Sequence, residues 1–456
     1  MGTQADDGLA PARRWWASDL AAAVRSADPR YGVALGRAAL VWAPCFVLMG
    51  PRFDSPALAI GAASVLAAVW LISLRSAFDA VHLTLGDPVR CAAGTAVGLV
   101  GVSAVALWIP GMGMDLTTIL ALGAVVFPLV TAWEVVARRV VGKRRVLVVG
   151  APGSAEAVAA AVEVDGHSPF AVVGAVDDEP GDGVRLGSVA ELTRVIDEQR
   201  PDLVLLTDGE SSMKALDRLL ATPGSGVKVV GRAHFFDHAF GRIPLEDLTP
   251  TWFMSILHVW QRPYTRFAKR TFDVLSASAV LVLASPLMLA IAAALRLTAG
   301  PILYRQTRVG EGGRPYTMHK FRTMRVGAEE SGRPAFARVR DPRVTTFGRV
   351  LRRTHADELP QLFDVLRGDM SVVGPRPERP EFVPMLEEAV PFFTRRLLVK
   401  PGITGWAQLR HDYASDCEGA AAKLSYDLWY LRHRTLAVDL AICAKTFVSL
   451  LLRPGR

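Results

Sequence analysis

The 456 residues suffice for two or three domains, and 51% of them are hydrophobic, gathered in blocks at a mean hydropathy of +0.27, which is high for a water-soluble globular chain. A formal charge of +8 admits nucleic acid as a partner, but beside long apolar blocks acidic lipid headgroups fit better, so a lipid bilayer and no nucleic acid is expected. Cys45, Cys91, Cys417 and Cys443 stand far apart with no CxxC spacing, which points to neither disulfides nor zinc.

Residues 1–32 form a polar N-terminal segment without a signal-peptide pattern, and the basic-aromatic patch Arg13–Trp16 suits a membrane surface. Within 33–140, four apolar segments follow at about 33–50, 56–74, 90–110 and 115–137. Each is near the ~20 residues that ~30 Å of hydrocarbon requires. Arg37 and Glu134 interrupt the first and last segments near their ends, where both are expected to snorkel. Basic residues alternate between loops: Arg13, Arg14, Arg25 and Arg30 precede the first segment, Arg75 and Arg90 separate the second and third, and Arg138, Arg139, Lys143, Arg144 and Arg145 follow the fourth. The other two loops hold only Arg52, so both ends of a four-helix transmembrane bundle are expected on the cytoplasmic side. The alternative is a buried helical bundle in a soluble protein.

Residues 141–262 change character. RVLVVG, AVVGAVDD and DLVLLTD read as buried parallel strands alternating with helices, a Rossmann-like α/β domain. Gly150 and Gly153 make a degenerate glycine loop, and Asp177 falls where a ribose-binding acid would. A structural or regulatory role, with a surface for homodimer formation, fits better than a bound nucleotide. His234, His238 and His258 are too loosely spaced to signal a site.

Residues 263–300 hold a long apolar stretch with Lys269 and Arg270 at one end and Arg296 at the other. Basic flanks on both sides argue against a simple crossing. Ser285-Pro286 at its midpoint predicts a break, with the serine satisfying a carbonyl that the proline frees. The expectation is a re-entrant helix–break–helix that enters and leaves on one face; the alternative is one straight span.

Residues 301–456 begin with a strand–turn–strand carrying Lys320 and Arg322 near the second strand's end, either a surface hairpin or a pair of site cations. Asp357 and Glu358 come next, preceded by Arg349, Arg352 and Arg353 and followed by Arg367, Arg376 and Arg379. Leu359, Leu362, Phe363 and Leu366 predict a short helix with one buried face, Pro360 in its first turn and Gly368 at its end. The acids then sit at a helix N-terminus, where Asp357 is either an N-cap or part of a site. A carboxylate pair among arginines suits phosphates handled through a divalent metal. Further on, YDLWYLRH and LAVDLAICAKTFVSLL are amphipathic, fit for the headgroup layer or for packing on the core.

LRRTHADELPQLFDVLRGDMSVVGPRP, with GPILYRQTRVGEGGRPYTMHKFRTM before it and KPGITGWAQL after it, resembles the bacterial sugar transferase family over about 264–452. These are the polyprenyl-phosphate phosphoglycosyl transferases with one membrane-associated catalytic domain. The N-terminal half resembles that of the family's large members. The resemblance implies transfer of a sugar-1-phosphate from a UDP-sugar to undecaprenyl (polyprenyl) phosphate, releasing UMP. It implies Asp357 as nucleophile and Mg²⁺ ligand, Glu358 as its assistant, and Lys320, Arg322, Arg352 and Arg376 as phosphate-binding cations. It implies the Ser285-Pro286 break as well, and a place at the cytoplasmic face of the bacterial inner membrane, initiating a surface glycan. His355-Ala356, Asp364 and Lys400 depart from the family's usual residues without removing a catalytic group. The alternative from another class is a membrane-anchored nucleotide-binding scaffold of polysaccharide synthesis.

Overall fold

A computed structural model describes residues 29–80, 87–108, 114–151, 153–164, 168–178, 185–207, 209–221, 227–249, 252–254, 265–327, 341–410 and 417–452. Arg13–Trp16 and His258 lie outside the described residues. The chain divides into two compact units, the first ending at Lys143 and the second beginning at Arg144.

The first unit holds four apolar helices: α1 (Pro29–Met49), α2 (Pro56–Ala80), α3 (Asp87–Trp108) and α4 (Leu116–Val141). Val41, Cys45, Leu66, Trp70, Leu122 and Val126 form its core. Leu35, Val47, Leu58, Ile72, Val100 and Leu120 point outward and are exposed. Helices apolar inside and out belong to a membrane or a larger core. Among the described residues, Val33–Arg52 and Leu116–Ala137 of this unit, and Arg266–Arg296 of the second, are long and apolar enough to cross a membrane, whereas the middle pair of the first unit hold shorter apolar stretches, Pro56–Ile72 and Gly94–Val105. The expected snorkelling of Arg37 and Glu134 gives way to pairing. Arg37 Nε donates to Glu134 Oε1 at 2.6 Å, joining α1 to α4, because each charge is the other's nearest means of escaping an apolar surface.

The second unit opens with a five-stranded parallel sheet built from β1 (Arg144–Val149), α5 (Ser154–Val164), β2 (Phe170–Val176), β3 (Arg185–Gly187), α6 (Leu192–Gln199), β4 (Leu203–Leu206), α7 (Glu210–Ala221), β5 (Lys228–Gly231) and α8 (Arg232–Phe240). The strand order β3-β2-β1-β4-β5 places a switch point between β1 and β4, where such sheets hold ligands. Here the described hydroxyl groups beside that point bond to the chain itself. Thr207 Oγ1 lies 3.1 Å from Ser154 Oγ, Ser212 Oγ donates to Val149 O, and Asp177 accepts from Ser211 Oγ at 3.0 Å. Gly150, at φ 148°, has no room for a side chain, since a Cβ would lie 1.9 Å from Thr207 Oγ1.

Next comes α9 (Arg266–Arg296), helical without interruption. The break expected at Ser285-Pro286 is therefore absent as a change of secondary structure, and the reason is local. Pro286 has no N–H to give Val282 O, and Ser285 Oγ donates to that carbonyl instead at 2.8 Å. One side of α9 is buried through Ala277, Met288, Ile291 and Leu295, while Leu275, Val282, Leu283, Leu287 and Leu289 are exposed.

The rest comprises the antiparallel hairpin β6 (Leu303–Val309) and β7 (Pro315–Phe321), α10 (Thr346–Arg353), α11 (Gln361–Arg367), β8 (Ser371–Val373), α12 (Val383–Ala389), β9 (Gly402–Thr404), α13 (Trp406–Arg410), α14 (Cys417–His433) and α15 (Leu436–Leu452). The hairpin pairs Tyr304 with Lys320, as the strand–turn–strand pattern requires. β8 and β9 pair in parallel, and Gly374 and Gly402 permit the close approach, since a Cβ on Gly402 would lie 2.1 Å from Gly374 N. α14 buries Leu424, Leu428, Trp429 and Tyr430 in the core, so of its two alternatives it takes packing. α15 buries Val438 and Ile442 but exposes Leu436, Leu440 and Phe447.

Candidate active site

The acid pair does not open a helix. Asp357 and Glu358 lie in a 3-10 turn, Ala356–Glu358, and α11 starts only at Gln361, after Pro360. His355 enters that turn in the left-handed region at φ 55°, a corner that sends the chain back on itself after α10. The later start also rotates the buried face of α11, which is Gln361, Leu362, Asp364 and Val365, leaving Phe363 exposed. No side-chain cap bond forms at either element, so Asp357 is not an N-cap.

The two carboxylates are treated differently. Glu358 Oε1 accepts from Lys320 Nζ at 2.6 Å and from Arg376 Nη2 at 3.1 Å. Burial alone would raise its pKa, but the two cations outweigh burial and hold it well below the ordinary carboxylate range. Asp357 is 7% exposed, and among the described residues its carboxylate takes part in no hydrogen bond or ion pair. Burial raises its pKa, and the Glu358 charge adds to this, while Lys320 and Arg352 pull it back. Lys320 is thus close to both acids, from the end of β7.

The Arg376 loop is anchored from behind. Arg396, 3% exposed, donates to Arg376 O at 2.9 Å and pairs with Asp427 at 2.8 Å and Glu378 at 3.3 Å. Gly374 N donates to Thr404 O and Gly402 N to Pro375 O, fixing the turn between them. A small, open cleft beside it is lined by Arg308, Lys320, Gln361 and Arg376 among others.

Of the cations expected here, Lys320 and Arg376 converge on Glu358, and Arg352 acts on Asp357 from the last turn of α10 while its Nε donates to Thr323 Oγ1. Arg322 goes elsewhere: its guanidinium donates to Ala299 O and Thr298 Oγ1, fastening the turn after α9. Alternation would put positions 320 and 322 on one face, but β7 ends at Phe321, and past its end the Arg322 side chain is held by the turn after α9 instead. Ser285 and Pro286 are in α9 and are no part of the acid cluster. Three groups escape sequence reasoning: Arg308, Gln361, and the buried Asp364, which accepts from His319 N at 2.9 Å and bonds His319 Nδ1 at 2.7 Å. The only available signal was Asp364 as an acid inside an apolar helical pattern, where burial demands a partner.

Among the described residues, no group of three or more His, Cys, Asp or Glu side chains could hold a metal. Mg²⁺ at phosphate sites needs only one or two carboxylates, completing its shell with phosphate oxygens and water. Asp357 fits that role better than Glu358, whose charge is already matched by two cations.

Residues 264–453 match the family described as bacterial sugar transferase. The chain is 41% identical over 212 residues to UDP-N-acetylgalactosamine-undecaprenyl-phosphate N-acetylgalactosaminephosphotransferase of Aeromonas hydrophila, covering 46% of this chain and 49% of that one. It is 32% identical over 286 residues to UDP-glucose:undecaprenyl-phosphate glucose-1-phosphate transferase of Escherichia coli K12, covering 60% of each. A protein of that same description from Caulobacter vibrioides is 41% identical over 186 residues, 40% of this chain and 69% of that one. The match thus spans about half the length of the Aeromonas relative.

Proposed function

This chain belongs to the bacterial sugar transferase family, and from that premise we propose that it moves a sugar-1-phosphate from a UDP-sugar to undecaprenyl phosphate. The observation that carries this reading is the unequal state of two adjacent acids. Glu358 is neutralised by Lys320 and Arg376, while Asp357 forms no hydrogen bond or ion pair among the described residues, which leaves its oxygens open to attack an electrophile.

An Asp357 oxygen attacks the sugar-bearing phosphorus. The bond from that phosphorus to the bridging oxygen breaks, its electron pair leaves with UMP, and an aspartyl phospho-sugar forms. An oxygen of the polyprenyl phosphate then attacks the same phosphorus, releasing polyprenyl-diphosphate-sugar and restoring the carboxylate. Lys320 and Arg376 hold phosphate oxygens, with Glu358 fixing both cations in place. Arg352 adds positive charge at the nucleophile. Mg²⁺, held by Asp357 and the diphosphate, would supply further charge neutralisation.

The membrane arrangement follows from similar reasoning. The four helices of the first unit cross the bacterial inner membrane, and the catalytic unit works on its cytoplasmic face. Both ends of α9 engage one folded body: Arg270 donates to Val365 O and Leu366 O at its start, and Leu295 packs with Phe321 and Leu351 at its end. Ends held on one body favour a helix that bends at Pro286 without losing its helical turns, dipping into the bilayer and returning, over a straight crossing. The hydroxyl groups at the switch point, already bonded within the chain, support a structural role for the parallel sheet rather than a nucleotide site.

The test is UMP release by detergent-purified protein across a panel of UDP-sugars with Mg²⁺, with and without polyprenyl phosphate, in wild type and Asp357→Ala. Lipid-dependent turnover of one sugar, lost in the variant, is expected. No release from any sugar, where a related transferase turns over, would refute the reading.

A further inference from the structure

Arg308 stands out as a cation that forms no ion pair among the described residues. It lies on β6, partly buried, and lines the cleft with Lys320, Gln361 and Arg376. Its hydrogen bonds go to neutral groups: Nε and Nη2 donate to Gln306 Oε1 at 3.0 and 2.6 Å, and Nη1 donates to Pro377 O at 3.0 Å. Among the described residues no carboxylate forms an ion pair with it. The carboxylates nearest the cleft are already engaged, Glu358 by Lys320 and Arg376, Glu378 by Arg396. Burial disfavours the charged form of Arg308 and the Arg376 charge disfavours it further, while the Glu378 charge offsets them only in part. A guanidinium half-withdrawn from water, beside another arginine and bonded only to an amide and a carbonyl, is costly unless an anion arrives. Two of its five N–H groups remain to meet that anion.

Gln361 faces the same cleft. It is 3% exposed, and among the described residues its side-chain amide forms no hydrogen bond. An amide with two unused donors on the same cleft as an arginine that forms no ion pair makes a wall suited to an anion. The backbone also joins this wall to the active site, since the Pro377 carbonyl that fixes Arg308 follows directly on Arg376, which reaches Glu358.

We propose that Arg308 and Gln361 form the subsite for the nucleotide's own phosphate, and that Arg308 neutralises the phosphomonoester dianion as it leaves. This rests on the transferase reading above and adds to it which end of the donor the cleft takes. In that reaction Asp357 attacks the sugar-bearing phosphorus, so the leaving phosphate must lie on the side away from Asp357. Cleavage sends an electron pair to the bridging oxygen, and the departing nucleotide gains one negative charge. A fixed guanidinium meets that charge without a proton transfer.

The test measures UMP binding to the full-length chain in detergent by calorimetry, together with the KM for polyprenyl phosphate, in wild type, Arg308→Met and Arg308→Lys. Arg308→Met is expected to weaken UMP about tenfold or more, and Arg308→Lys about threefold, since the ammonium keeps charge but loses the fork. The KM for the lipid should stay within about twofold of wild type, because the acceptor phosphate approaches from elsewhere. Without ligand, Arg308→Met should melt no lower than wild type, since it removes a charge that forms no ion pair, and should lose most of the stabilisation that UMP gives wild type. UMP affinity unchanged in the Met variant overturns the proposal. So does a raised lipid KM with UMP binding intact, which would hand Arg308 to the acceptor. Should the Met variant fail to fold, unchanged UMP affinity in the Lys variant overturns it equally. UMP binding that needs Arg308 in a protein that turns over no UDP-sugar would leave the subsite standing and remove the transferase reading.

Discussion

Lys320 Nζ lies 2.6 Å from Glu358 Oε1, and its charge also acts on Asp357, so one ammonium governs both acids. Glu358 stays ionised far into acid, which leaves Asp357 to set the acid limb of the pH–rate profile. Burial raises the Asp357 pKa, so activity should fall on acidification above the ordinary carboxylate range, as the nucleophile takes up a proton. Lys320→Met removes a cation that favours the ionised form of Asp357. It should move the acid limb to higher pH and lower kcat by about 10²-fold. A reduced kcat with an unmoved limb would show that Lys320 does not act on Asp357.

Asp357→Asn should separate activity from stability. A carboxyl whose pKa is raised on folding binds its proton more tightly in the folded state. Its contribution therefore favours folding at low pH and is lost as pH rises through the folded value. At neutral pH the amide removes that cost, so melting should rise by about 2 °C while turnover is abolished. Thermal melts at pH 7 check this, and a melting point below that of wild type would contradict it.

The two arginines of the original cation set should part company. Arg376 reaches Glu358, whereas Arg322 fastens Thr298 and Ala299 after α9. Arg376→Met is expected to reduce kcat/KM by about 10²-fold with little change in melting. Arg322→Met should cost about 1–2 kcal/mol of stability and less than about fivefold in kcat/KM. Paired kinetics and melts on both variants decide it.

Behind the active site, Asp427→Ala would leave the buried Arg396 with Glu378 as its sole carboxylate partner. Breaking such a pair costs about 3 kcal/mol. Because Arg396 also holds Arg376 O, turnover should fall even below the melting range, in a variant that touches no substrate. Denaturant melts and kcat measured at low temperature separate the two effects.

The helix α9 carries its own prediction. Single cysteines at Thr265 and Leu297, which flank it, should both react with an impermeant thiol reagent from the cytoplasmic face in oriented vesicles. Labelling from opposite faces would establish a straight crossing. Ser285→Ala removes the donor that serves Val282 O and should cost about 1 kcal/mol, which Pro286→Ala in the same chain restores by returning the backbone bond.

Much of this was readable from the chain because the signals were local. The acid pair, the hairpin bearing Lys320 and the alternating strands of the parallel sheet each declare themselves within a few residues. What escaped depends on long-range closure. Arg37 meets Glu134 across 97 residues, and Arg322 turns to a carbonyl 23 residues earlier, so only the end of α9 decides its role. The start of α11 was misplaced because Pro360 suits a first turn as well as a cap, and only the left-handed His355 shows that a separate turn precedes it. Arg308 and Gln361 offered no pattern at all, since they come to line one cleft only in the folded unit.

The central claim is that Asp357 carries the phospho-sugar. Intact mass spectrometry on protein incubated with its UDP-sugar, without polyprenyl phosphate, tests it most directly. Wild type should gain the mass of one sugar phosphate, located to Asp357 by peptide mapping and lost on adding polyprenyl phosphate, and Asp357→Asn should gain nothing. An adduct on another residue, or UMP release and lipid product with no adduct under rapid quench, would contradict the account.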